Sequence, residues 1–76
     1  MDTTSIEQMI RAGLPDAKVS VTGDDGVHFE AHVISPSFSG KPTLQRHRLV
    51  YETLGKFMGN EIHALGLRTE TPDESV

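Results

Sequence analysis

The sequence predicts a two-layer α+β domain in the order α-β-β-α-β, with both helices on one face of a mixed three-stranded sheet. Three observations predict it. Ala17 to Val21 and Val27 to Ile34 alternate apolar and polar residues with the period of half-buried strands, and Gly23-Asp24-Asp25-Gly26 between them has the chemistry of a hairpin turn. Thr43 to Phe57 instead repeats its apolar residues every three or four positions, as a helix does, ahead of a third strand-like run from Ile62 to Thr69. A helix that links neighbouring strands makes a right-handed crossover between parallel strands, so the second and third strands are predicted parallel and the first two antiparallel.

The chain opens with a short helix for which Thr4 and Ser5 are N-cap candidates, Ser5 with Gln8 matching a capping box. Ile6, Met9, Ile10 and Leu14 form its apolar stripe, Glu7, Gln8 and Arg11 face water, and Gly13 with Pro15 ends it. The first strand turns Ala17, Val19 and Val21 inward. The second turns Val27, Phe29, Ala31 and Val33 inward and His28, Glu30, His32 and Ile34 outward. Ser35 to Lys41 reads as a loop, yet its Phe38 calls for burial. Pro42 suits the first turn of the second helix, whose stripe is Leu44, His47, Val50, Tyr51, Leu54, Phe57 and Met58, with Gln45, Arg46, Arg48, Glu52 and Lys56 opposite. Gly59-Asn60 is the expected stop, and the third strand places His63, Leu65 and Leu67 on one face. Residues 1–76 read as a single domain whose polar, acidic end, 71–76, is expected to fray.

Composition narrows the chemistry. A chain of 76 residues buries about 60% of its unfolded surface, and with no cysteine it has neither a disulfide nor a thiolate ligand or nucleophile. The N-terminal MDTTSIEQMI has no basic flank and no long apolar run, so a soluble cytoplasmic protein with no membrane partner is expected. No Ser-His-Asp or HExxH pattern and no phosphate-cradling glycine loop is present, and the expectation is a non-enzyme. A net charge of −4 works against nucleic-acid binding. The local exception is Arg46-His47-Arg48 with Lys41 nearby, a surface for phosphate or for a protein partner. Gly23 to Gly26 has GXXG spacing, but an acidic hairpin repels phosphate.

Several blocks together resemble the BolA family, and within it the IbaG-like branch. They are Asp25-Gly26-Val27-His28-Phe29-Glu30, Val33-Ile34-Ser35, Phe38-Ser39-Gly40-Lys41, Gln45-Arg46-His47-Arg48-Leu49-Val50-Tyr51, Ile62-His63-Ala64-Leu65 and Thr71-Pro72, in the family's order from about Ile6 to Asp73. The resemblance implies a fold like the type II KH domain. It also implies a partnership with a monothiol glutaredoxin in a heterodimer that shares a 2Fe-2S cluster with the partner's glutathione. In that reading His63, in the Ile-His-Ala-Leu block, is an iron ligand. Many family members take a second ligand, histidine or cysteine, from the loop between the first two strands; here that loop offers only Asp24 and Asp25, which makes His28 at the strand start the candidate. The family's other implied role is DNA binding and transcription regulation in the stress response, through the segment holding Arg46 and Arg48. A homodimer is a further assembly open to the chain.

Without the resemblance, each of these residues has an ordinary structural role. A lone histidine at a strand start is more often a satisfied structural residue than a ligand, and helical arginines are more often solvated. What singles out His63 is topology, since parallel strands begin at the same end and His28 and His63 should therefore start side by side, next to the hairpin turn.

Overall fold

The computed structural model describes residues Met1–Val76. Its elements are α1 (Thr3–Gly13), β1 (Lys18–Thr22), β2 (His28–Ile34), a 3₁₀ turn (Pro36–Phe38), α2 (Thr43–Leu54), a second 3₁₀ turn (Gly55–Phe57) and β3 (Ala64–Glu70). The sheet order is β1-β2-β3, with β1 antiparallel to β2 and β2 parallel to β3. The alternation in the sequence has done its work: Val19, Val21, Phe29, Ala31, Val33 and Leu65 are buried on one face of the sheet. Both helices contribute to the same core, α1 through Ile6 and Ile10 and α2 through Val50 and Leu54.

Several boundaries differ from the sequence expectation, each for a local reason. Asp2, rather than Thr4 or Ser5, caps α1, because its extended backbone lets its carboxylate accept the Ser5 N–H at 2.8 Å. α2 stops at Leu54, short of Phe57, where Gly55 takes a left-handed φ of 50° that a residue with a Cβ adopts only with strain. The chain then tightens into the 3₁₀ turn before Gly59 and Asn60. Leu44, assigned to the apolar stripe, is 63% exposed; the first turn of α2 is anchored by the polar bonds of Arg46, described below, instead of by apolar packing. Val27 precedes β2 and is only half-buried.

The loop after β2 is structural throughout. Ser35 is fully buried, with its Oγ donating to Asp16 at 2.7 Å and accepting the Ser37 N–H at 3.0 Å. Asp16 also takes the Ser37 hydroxyl at 2.6 Å, and these two serine bonds hold its carboxyl below the usual carboxylate range. That brace folds the 3₁₀ turn so that Phe38 points inward and has no exposed surface.

The segment beyond Thr71, expected to fray, is tied back onto α2. Glu74 accepts from Arg46 at 2.6 and 3.1 Å and from the Thr71 N–H at 2.9 Å. No helix is long and apolar enough to cross a membrane.

Candidate functional site

The parallel pairing of β2 with β3 starts at His28 opposite Ala64. His63 therefore stands one residue outside the ladder, beside the first residue of β2, where its N–H donates to the Val27 carbonyl at 2.9 Å. The two imidazoles meet edge to face with centroids 6.3 Å apart. Both residues are exposed. The crossover geometry thus brings together two histidines 35 positions apart in sequence.

One feature of His63 differs from the expectation. It shares no face with Leu65 and Leu67, because β3 begins at Ala64 and alternation does not extend back through it. Ile62 is fully buried in a separate bridge to Met58, and the backbone between Ile62 and Ala64 presents His63 to solvent.

The hairpin turn supports His28 through Asp25. Asp25 Oδ1 accepts the backbone N–H groups of Val27 and His28 at 3.0 and 2.8 Å, and Oδ2 meets His28 Nδ1 at 2.6 Å. The His28 and Val27 N–H bonds, and then the imidazole, hold the Asp25 carboxyl well below the usual carboxylate range. The sequence shows Asp25 only as a turn former. An Asp three residues before an exposed His, with a positive-φ glycine between them (Gly26, φ 80°), is the signal that could have revealed the contact. An open groove of about 580 Å³ runs past His28, walled by Thr22, Asp24, Phe29, Glu30 and Gly66. Further along the outer face, His32 Nε2 contacts Glu70 at 2.5 Å and stands apart from the pair.

The basic residues do not form one free patch. Arg46 Nε donates to the Lys41 carbonyl at 2.7 Å, its Nη1 and Nη2 fork the Glu74 carboxylate, and its guanidinium carbon lies 5.9 Å from the Phe38 ring centroid. The side chain is only 13% exposed. The Arg46 fork, and after it the Thr71 N–H, lowers the Glu74 carboxyl to about 2, while Glu74 raises Arg46 in turn. Lys41 Nζ donates to the Ser37 carbonyl at 3.1 Å. Arg48 is exposed, beside a shallow cavity shared with Tyr51, Glu52, Gly55 and Met58.

The donor set suits a borderline metal such as iron, with neutral imidazole nitrogens at an exposed sheet end. No group of three or more His, Cys, Asp or Glu side chains is placed to hold a metal ion. A metal centre held by the histidine pair would have to be completed by another molecule's donors.

A small α+β domain built on this crossover is a fold that known relatives share. The chain belongs to the BolA family, whose model, described as BolA-like protein, matches residues 10–74. The structure of a BolA homologue from Coxiella burnetii is similar, with a TM-score of 0.88 and 51% identity over 99% of this chain and 96% of that one. The chloroplastic and mitochondrial SufE-like protein 1 of Arabidopsis thaliana is 42% identical over 53 residues, which are 68% of this chain but 14% of that protein. A Vibrio cholerae protein named DNA-binding transcriptional regulator BolA is 45% identical over 47 residues, 62% of this chain and 44% of its own length. The chain therefore spans less than half the length of either of these two curated relatives.

Proposed function

We propose that this chain is a non-catalytic adaptor in iron-sulfur cluster handling. In this reading His63 and His28 hold one side of a 2Fe-2S cluster, and a monothiol glutaredoxin with its glutathione supplies thiolates on the other. The observation that carries it is the pair of exposed imidazoles, 6.3 Å between centroids, at one end of a sheet in a chain without cysteine. Two nitrogens make half of the usual four-ligand set, and in this reading a thiol-bearing partner supplies the other half. Imidazole in place of thiolate supplies a higher reduction potential, as in Rieske centres. The residues of this chain bind and orient: strand pairing fixes the His28 backbone, and the His63 backbone, just outside the ladder, is pinned by its bond to Val27.

Co-expression with a monothiol glutaredoxin tests the proposal. The mixed complex is expected to carry a visible spectrum distinct from that of the glutaredoxin alone, and His63→Ala is expected to abolish the difference and shorten cluster retention. An unchanged spectrum and retention time in His63→Ala would overturn the assignment. His28→Ala decides the second position in the same way.

A second reading, a DNA-binding transcription regulator, is favoured by the name of the Vibrio relative. Arg48 and Lys41 are its contact residues, since the Arg46 donors are engaged within the chain, whereas the Lys41 ammonium keeps two of its three donors beyond its bond to Ser37. It predicts duplex affinity that falls steeply with salt and weakens in Arg48→Ala, and absence of binding at about 50 mM salt removes it.

A further inference from the structure

We infer that Asp25 is the positioning residue of the histidine pair, fixing the tautomer and ring direction of His28 so that its Nε2 is the nitrogen offered to a metal. The inference rests on the proposal that His28 is a ligand. It adds a residue outside the ligand set and commits to one nitrogen.

The geometry is specific. A carboxylate that met only the imidazole could swing with it. Asp25 cannot, because Oδ1 is held by two backbone N–H groups at 2.8 and 3.0 Å while Oδ2 faces His28 Nδ1 at 2.6 Å. The turn thus clamps the carboxylate, and the carboxylate directs the ring. An ionised carboxylate only accepts, so the neutral ring must carry its proton on Nδ1 and leave the Nε2 lone pair free. This is the carboxylate–histidine arrangement that orients metal-binding imidazoles and raises their basicity, and loss of such a partner typically weakens metal binding about 10- to 100-fold. Asp24 has no comparable contact with the ring, and His63 has no carboxylate partner, so within the pair only His28 has the orienting device.

Asp25→Asn separates this role from a merely structural one. The asparagine carbonyl can still accept both backbone N–H groups and preserve the turn, but its amide then donates to Nδ1 and favours the opposite tautomer. The first measurement is a long-range ¹H–¹⁵N spectrum of the isolated chain at about pH 8, above the ordinary imidazole range. The wild type is expected in the Nδ1–H form and Asp25→Asn in the Nε2–H form. The second is the lifetime of the cluster in the mixed complex with monothiol glutaredoxin, expected to fall about tenfold or more in Asp25→Asn. A wild-type ring in the Nε2–H form overturns the inference. So does an Asp25→Asn complex that retains its cluster as long as wild type while His28→Ala loses it. If His28→Ala itself has no effect, His28 is not a ligand, and the failure lies in the underlying assignment, whatever the tautomer.

Discussion

Replacing Phe38 with alanine tests the organisation of the loop that carries Lys41 and leads into α2. The ring is fully buried and lies under the Arg46 guanidinium at 5.9 Å. Deleting a buried phenylalanine side chain costs about 3–5 kcal/mol in lost transfer energy and residual cavity, and the cation–π contact adds about 0.5–2 kcal/mol. A core in a domain this small supplies about 3–5 kcal/mol in all. Phe38→Ala should therefore be largely unfolded, whereas Phe38→Leu, which keeps most of the apolar volume, should lose about 1–2 kcal/mol and stay folded. Urea titration followed by far-ultraviolet circular dichroism gives the loss in Phe38→Leu and should show Phe38→Ala without a folded baseline. With a slope of about 1 kcal/mol per molar for a small domain, a loss of 3 kcal/mol moves the midpoint by about 3 M. A loss below about 1 kcal/mol in Phe38→Ala would refute the claim that this ring anchors the loop and the base of Arg46.

Two further perturbations probe contacts between distant segments. A Cβ at Gly13 would stand 2.4 Å from Thr53 Cγ2 and 3.0 Å from Thr53 Cβ, so Gly13→Ala should force α1 away from α2 and cost about 1–3 kcal/mol. Thr53→Ser removes the clashing methyl, and a double-mutant cycle should show coupling of about 0.5 kcal/mol or more between the two positions. The second concerns acid stability. Glu74 has a folded value of about 2 against an ordinary 4.5. Because the folded value is the lower one, the stabilisation is complete above pH 4.5 and is lost as pH falls toward 2. Glu74→Gln should lower the urea midpoint at neutral pH and flatten its fall through that window. Some slope should persist, because the Asp16 and Asp25 carboxyls are also depressed. Identical pH profiles for the two proteins would show that the Arg46–Glu74 fork contributes nothing to folding.

The sequence by itself determined the sheet, its direction of pairing and most of its buried face. Side-chain alternation along a strand has a period of two and a helix one of 3.6, so Val19, Val21, Phe29, Ala31 and Val33 declared their side before any contact was known. Parallel pairing across a crossover followed from chain order, and it was enough to bring His28 and His63 to the same end. A lone phenylalanine in a Ser-Pro-Gly loop was legible as buried because nothing else explains its cost in water.

What only the tertiary structure decided depends on where a contact lies relative to the end of a periodic pattern. The end of α2 falls at Gly55, the first of two glycines after Leu54 that both take a left-handed φ, and the apolar pattern continues past Gly55 without marking it. The capture of Arg46 follows from a carboxylate 28 positions further along the chain, a distance over which residue spacing carries no information. His63 escapes its apparent strand face because the ladder begins one residue later. Asp25 lies between the two cases. It is only three residues from His28, yet its contact depends on the backbone angles of the turn. Periodicity reports which side of an element faces the core; it is silent on where the element ends, and the candidate site is built from residues at and just beyond such ends.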